Sequence, residues 1–388
     1  MITPLRVALF IESYVEYGRG LLRGVAAYMH GHGLWAIYHQ PWTSETTWPH
    51  LRRWRPSGII AQLESREVVR QVRKLGIPVV GLATGPLQAI PTLSTDNRAV
   101  ARLAADHLIE RGFKHLAYAG FAGVGFSEQR RKAFVDYLAE AGHSAAVFEG
   151  PRIGSLFSGL ANEAHNSVDP QAMAEWLKSL PHPLGLVACG DLYARQVLNA
   201  CAEYDIAVPE EVAVIGAGDD RLLCTLCDPP LSSVELDPEG IGFQAAAMLD
   251  QMMRGQQPLD QRVLVPPRGI VTRQSTDVLI GADADVVDAI RYLREGACRG
   301  VRVKDVQRHA MLSHSTLRRR IRETLGRSPK AELVRVQLEQ VKELLATTDL
   351  PLLKISEQTG FTHLESMCRL FKKRVGRTPG QYRRELRT

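Results

Sequence analysis

At 388 residues, with 45% hydrophobic and 23% charged residues, the chain is long enough for two or three globular domains of ordinary soluble composition. Its net charge of +6 is unevenly held: residues 291–388 carry 23 Lys and Arg against 10 Asp and Glu, leaving 25 against 32 for residues 1–290. The C-terminal quarter is therefore the end expected to meet a polyanion. The first apolar run, residues 7–11, is broken at Glu12 and is too short for a signal peptide or a membrane span, so a cytoplasmic location with no membrane partner is expected. Six cysteines, Cys189, Cys201, Cys224, Cys227, Cys298 and Cys368, are scattered and read as reduced thiols. Cys224 and Cys227 form a CxxC without further ligands at metal spacing, and no metal or other cofactor is expected.

Through residue 275, short runs rich in Val, Ile, Leu and Ala at 7–11, 35–38, 58–62, 78–81, 116–119, 186–188, 212–216 and 232–235 read as strands. They alternate with helical periods at 19–30, 66–75, 98–111, 129–141, 171–180, 192–204 and 240–254. Continuous apolar strands separated by helices predict a parallel sheet covered on both faces, a doubly wound α/β architecture whose ligands sit off the carboxyl ends of the strands. So long a stretch of this pattern predicts two lobes with a cleft between them. The polar residues after the strands are the cleft candidates: Ser13 and then Tyr17-Gly18-Arg19-Gly20, the run from Phe126 to Arg131, Gly190-Asp191, and Gly218-Asp219-Asp220-Arg221. Asp and Arg suit a polyhydroxylated ligand, because a carboxylate accepts from two hydroxyls and a guanidinium donates a planar fork. Trp35, Trp42 and Trp48 are candidates for apolar pocket walls. There is no GxxxxGK[ST], no GxGxxG after a strand, no GxSxG elbow and no HExxH helix, so neither a nucleotide site nor an enzyme is expected.

The runs VALFIESYVEYGRGLLRGVAAY, SEQRRKAF, VACGDLYARQVLNAC and VPEEVAVIGAGDDRLLCTLCDPPLSSVE resemble the type I periplasmic-binding-protein fold used as the effector domain of LacI/GalR-type regulators. The resemblance implies that Arg130, four residues before Phe134, and Asp191 contact sugar hydroxyls. It also implies an Asp directly after the VIG-x strand end, where this chain has Gly218 followed by Asp219 and Asp220. Either Asp219 takes over by a one-residue shift or that contact is lost. The expected grip is then Ser13, Tyr17 and Arg19 from one lobe and Arg130, Asp191 and Asp219 from the other. The N-lobe is expected at about 1–112 and 236–265, and the C-lobe at about 113–235 and 266–275.

The boundary is placed within 272–288, with 276–284 as linker and an almost wholly helical domain at 285–388. There, Leu317, Ile321 and Leu325 recur every four residues, Ser328-Pro329 opens a long helix with a Val334, Leu338, Val341 and Leu345 stripe, and two helix-turn-helix units flank it. On the first, Ser315, Arg318, Arg319 and Arg322 face outward at 100° per residue while Arg320 lies nearer the apolar stripe. Arg318 and Arg319 are expected on guanine edges and Arg322 on phosphate, with a phosphate-only role open for either of the first two. On the second, Leu364, Glu365 and Arg369 take the outward positions, against a thymine methyl, a cytosine amino group and a phosphate or base. The alternative is a plain Glu365–Arg369 surface pair. Lys372, Lys373, Arg374 and Arg377 are expected to track the DNA backbone.

The stretch KISEQTGFTHLESMCRLFKKRVGRTPGQYRR is similar over its whole length to the signature of the AraC/XylS family of transcription activators, departing from it at Cys368. A LacI/GalR-type effector domain ahead of an AraC-type domain resembles the xylose-operon activators. That arrangement implies a regulator that binds promoter DNA, answers a small sugar, D-xylose, acts as a homodimer and contacts RNA polymerase. Three other readings stay open: the same regulator answering another small molecule, a sugar-uptake binding protein, which would need a signal peptide and no basic tail, and an α/β sugar-processing enzyme carrying a DNA-targeting module.

Overall fold

A computed structural model describes residues 5–33, 35–40, 47–63, 66–82, 90–152, 168–278, 284–325 and 327–385. The chain divides into two compact units, Met1–Val278 and Leu279–Thr388. The strands of the first are β1 Arg6–Phe10, β2 Ala36–Gln40, β3 Gly58–Gln62, β4 Val79–Leu82, β5 Thr92–Thr95, β6 His115–Ala122, β7 Ala145–Arg152, β8 Leu184–Ala188, β9 Val212–Gly218, β10 Ser232–Glu235, β11 Arg262–Val265 and β12 Gly269–Val271. Its helices are α1 Glu16–His32, α2 Thr47–Trp54, α3 Arg66–Arg73, α4 Asn97–Ile109, α5 Gly125–Glu140, α6 Pro170–Ser179, α7 Asp191–Glu203, α8 Arg221–Leu226 and α9 Pro238–Met253. The helical unit holds α10 Ala284–Gly296, α11 Val303–His309, α12 His314–Leu325, α13 Pro329–Thr347, α14 Leu352–Gln358, α15 Leu364–Val375 and α16 Pro379–Glu385.

Two six-stranded sheets make the two lobes of the first unit, in the orders β11-β5-β4-β3-β1-β2 and β12-β10-β9-β8-β6-β7. All pairings are parallel except β10 with β12, where Val234 faces Ile270. In β1 the alternation is literal: Val7, Leu9 and Ile11 enter one apolar layer with Leu21, Val25, Ile241 and Leu249, while Ala8 and Phe10 enter the other with Leu51, Ile59 and Val72. Both faces of the strand are dry, which is why it reads as a continuous apolar run. Trp35 lies in the first layer and Trp48 packs against Phe10 in the second, so both are core rather than pocket walls. Trp42 lies outside the described residues.

Four strands escape the apolar-run reading. β5 is Thr-Leu-Ser-Thr, fully buried yet mostly polar, and β7, β11 and β12 are edge strands. α4 packs on α5 and on β8, β10 and β12. The first crossing between lobes therefore falls ahead of Asn97 and not near residue 112, because the Asp96 carboxylate caps α4 at the N–H groups of Arg98 and Ala99 as soon as the chain leaves β5.

The return of the chain is held by α1 against α9. A methyl on Gly24 would lie 2.0 Å from the Glu239 carbonyl oxygen, and one on Gly242 would lie 2.0 Å from that of Leu21. The two backbones touch, and no side chain fits between them. Gly31 in the same α1 has nothing within 4 Å of its own would-be methyl. Helix propensity alone favours Ala at both sites by about 1 kcal/mol, so contact decides the sign. Gly31→Ala is expected to raise stability to chemical denaturation by up to ~1 kcal/mol, and Gly24→Ala to lower it by roughly 1–3 kcal/mol. A stabilised Gly24→Ala protein would refute the close packing.

Candidate effector cleft and DNA-reading helices

The cleft candidates converge from both sheets at the carboxyl ends of their strands. Tyr17, at the start of α1, places its hydroxyl 3.2 Å from Thr95 Oγ1 at the end of β5. Arg130 of α5 is buried: its Nε donates to Asn97 Oδ1 at 2.9 Å, its Nη1 donates to the Cys189 carbonyl at 2.6 Å, and its guanidinium lies over the Phe126 ring. Asn97 in turn donates to Gln129. The Arg130 charge is felt at Tyr17 on one side and by Asp191 on the other. Burial lowers the Arg130 pKa and raises that of Tyr17.

Asp191 opens α7 and is buried. Oδ1 accepts from the Ser233 hydroxyl at 2.6 Å and Oδ2 from the Asp220 N–H at 2.9 Å. Burial raises its pKa to about 6, against the lowering effect of those two donors. Gly218 belongs to this arrangement: at φ +144° its would-be methyl lies 2.7 Å from Asp191 Oδ2, so no side chain fits there.

Two expected residues already have partners within the fold. Asp219, at φ +52°, turns its carboxylate to Arg273 at 2.8 Å and is buried there. Arg19 is exposed and folds back on Glu16 and on the carbonyls of Ser13 and Tyr14, bracing the loop after β1. Ser13 is half-buried in that loop. Residue-type reasoning missed Glu12, which is 1% exposed at the end of β1 and accepts from the Tyr14 N–H. Its position directly after an apolar run was the available signal. Asn97 and Ser233 were missed because neutral polar residues inside helices and strands carry no such mark, whereas Gln129 lies within the expected run from Phe126 to Arg131.

In the helical unit, each helix-turn-helix has its own core. Val286, Ile290, Leu293, Val306, Leu317 and Ile321 form one, and Leu338, Val341, Leu345, Ile355, Met367 and Phe371 the other. The turns carry Met311 at φ +51° and Gly360 at φ +74°. Gln337 of α13 joins the halves, donating to the carbonyls of Ala297 and Gly360 at 3.0 and 3.1 Å. A methyl on Gly360 would lie 2.5 Å from that same Ala297 oxygen.

On α12 the buried pair Leu317 and Ile321 leaves Ser315, Arg318, Arg319 and Arg322 exposed; Arg319 is paired with Glu323 at 3.1 Å. On α15 the buried pair Met367 and Phe371 leaves Glu365, Arg369, Lys372 and Lys373 exposed, and among the described residues no ion pair joins Glu365 to Arg369. Leu364 is corrected: one turn before Met367 and Cys368, it lies on the inner edge and packs into the second core.

The first core is fastened to α13 by Glu332, whose buried carboxylate takes Arg294 at 2.8 Å, Arg327 at 2.5 Å and Arg335 at 2.8 Å. Burial pushes its pKa up, but the hydrogen bond from Arg335 and the three guanidinium charges outweigh that and hold it well below the usual carboxylate range. A depressed folded-state pKa contributes stability that is full above the ordinary value of about 4.5 and is lost as pH falls through the lowered one. Glu332→Ala is therefore expected to cost roughly 3–5 kcal/mol at pH 7 and progressively less below pH 4, measured by urea unfolding at several pH values. A cost independent of pH would refute the ionic reading.

Residues 105–276 match the model of a periplasmic binding protein-like domain, and residues 307–385 that of a helix-turn-helix domain. The xylose operon regulatory protein of Escherichia coli K12 is 29% identical over 97% of this chain and 96% of its own length. That of Haemophilus influenzae is also 29% identical, over 97% and 98%. A solved xylose-binding transcription activator, XylR, superposes with a TM-score of 0.68 at 28% identity, covering 99% of this chain and 98% of the other. With an α/β two-lobed domain followed by an AraC-type helical one, the chain is similar along its whole length to the xylose operon regulatory proteins and is a DNA-binding transcription regulator, not an enzyme.

Proposed function

We propose that this regulator takes D-xylose into the cleft between its two lobes and activates transcription of sugar-utilisation genes. The observation that carries the reading is the meeting of Tyr17, Asn97, Arg130 and Asp191 at the strand ends of both sheets. A carboxylate, a guanidinium, an amide and a phenol supply donors and acceptors for the vicinal hydroxyls of a pentose. Ser13 and Glu12 border the same ends. A ligand shifts a conformational equilibrium only by its differential affinity for the two states, so contacts from both lobes favour a closed form.

The effector domain, expected at 1–275, runs on to Val278, where the first compact unit ends with Thr276 buried inside it, and the DNA reader is placed at 285–388. On DNA, Arg318 and Arg319 read bases with Ser315 beside them, and Arg322 holds phosphate. Glu365 and Arg369 take the equivalent places on α15, and Lys372 and Lys373 track the backbone. The protein works in the cytoplasm as a homodimer that contacts RNA polymerase. Among the described residues no helix is long and apolar enough to cross a membrane.

The engagement of Asp219 by Arg273 favours one second reading, in which the same cleft answers a small molecule other than D-xylose. A thermal-shift series of purified protein against D-xylose, other pentoses, hexoses and their phosphates separates the two. D-xylose is expected to raise Tm by several degrees, and a shift with another compound alone would sink the xylose reading. On DNA, Arg318→Ala is expected to relax base preference at one position at a cost of about 1–3 kcal/mol, while Lys373→Ala weakens all sequences alike and lowers the salt slope by about 1. Indistinguishable effects from the two would remove this division of labour.

A further inference from the structure

Residues 272–278 end the first unit, and Leu279 begins the second. This exit segment is tied down by a continuous set of hydrogen bonds. Ser275 and Thr276 are fully buried. The Ser275 hydroxyl donates to the Val214 carbonyl at 2.6 Å and accepts from the Ser232 N–H at 2.8 Å. His107 is held neutral by burial and by Arg111, with a pKa of about 3. Arg111 can only donate, so Nδ1 of His107 accepts from it, and Nε2–H donates to Thr276 Oγ1 at 2.8 Å. Thr276 donates to Ser232 Oγ, which donates to the Arg273 carbonyl and accepts from the Arg273 N–H.

The side chain of Arg273 runs the other way. Nη1 donates to the Leu231 carbonyl at 2.8 Å, and Nη2 donates to Asp219 Oδ1 at 2.8 Å, with the two side chains 17% and 4% exposed. Asp219 then donates its N–H to Ser233 Oγ at 3.0 Å, and Ser233 donates to Asp191 Oδ1. Arg273 is thus bonded at its backbone to the exit segment and at its guanidinium to the turn that faces Asp191.

We propose that Arg273 is a positioning residue that couples the cleft to the DNA-binding unit, through Asp191, Ser233 and Asp219 at one end and Ser232, Ser275 and Thr276 at the other. The proposal rests on the reading of Asp191 as a ligand contact. A ligand hydroxyl donating to Asp191 joins Ser233 and the Asp220 N–H on one carboxylate and draws it away from Ser233. Displacing Ser233 removes the acceptor of the Asp219 N–H, and the Gly218-Asp219 turn, with both residues at positive φ, depends on that bond. Asp219 and Arg273 move together because their charge-assisted bond is largely shielded from water, and the backbone of Arg273 carries the shift to residues 274–276. A chain of contacts becomes a coupling route only when a change at one end is felt at the other.

The test uses the full-length protein, D-xylose and a DNA fragment selected by the wild type from a random pool. In the wild type D-xylose is expected to change the DNA Kd by about 5-fold or more. In Arg273→Gln and in Asp219→Asn that ratio is expected to fall below about 2, while D-xylose affinity stays within about 3-fold of wild type. Because both changes break one link, the double variant should lose no more than either single one. Xylose affinity falling in step with the DNA response in both variants, or a wild-type DNA response in either, overturns the proposal. A second arm needs no ligand: Asp191→Asn should speed amide hydrogen exchange at residues 272–278 by about 10-fold, and unchanged protection there overturns the coupling. If D-xylose does not bind the wild type, the xylose reading fails, and this second arm still decides the coupling.

Discussion

Backbone contact between α1 and α9 is the constraint on which the two-lobed domain rests. The chain leaves its first sheet after β5, builds the second through β10, and must then return to place α9 on the first sheet and β11 at its edge. Neither sheet is made from one continuous segment. Gly24 and Gly242 let the returning helix lie against α1 at a distance that no side chain permits, and the layer of Leu21, Val25, Ile241, Ala245 and Leu249 closes around that contact. Burying five such side chains contributes several kcal/mol by area alone. The geometry it secures matters as much, since α9 also packs on β3, β4 and β5 and so fixes the sheet at whose strand ends Tyr17 and Thr95 meet.

Charge is spent differently in the two units. In the first, three buried ionic groups lie near the cleft: Arg130 without a bonded carboxylate, Asp191 beside two donors, and Asp219 neutralised by Arg273; Asp250, buried on α9, is instead held by Tyr28 and Arg254. A buried cation held only by neutral acceptors, and a carboxyl raised by burial, are both costly to the fold and both suited to recognising a polar ligand. In the second unit the buried charge is structural, with Glu332 gathering three arginines and Gln337 bridging the two helix-turn-helix halves. The surface keeps the cations of α12 and α15 for the polyanion.

Much of the fold was legible because both faces of the central strands are dry, so that β1, β3, β8 and β9 stand out as apolar runs between amphipathic helices. The strands that were not legible differ in a physical way. β5 buries Thr92, Ser94 and Thr95, whose polarity hides the strand, and among the described residues β7, β11 and β12 lie at sheet edges. The second core of the helical unit was visible in Met367 and Phe371, yet Leu364 was set on the wrong side, since a helix edge residue points in or out according to what packs beside it.

What the sequence by itself determined is the class of molecule: an α/β two-lobed domain, a basic C-terminal pair of helix-turn-helix units, and Tyr17, Arg130 and Asp191 as residues at strand and helix ends. These follow from periodicity, charge and motif spacing, which are local properties of the chain. Only the tertiary structure decided which carboxylate meets a cation. Asp219 and Asp191 are equally acidic in sequence, but one faces Arg273, fifty-four residues away, and the other accepts from the Ser233 hydroxyl and the Asp220 N–H. The reason is that an ion pair across so many residues depends on how β9, β10 and β12 are brought together, and no spacing along the chain encodes that.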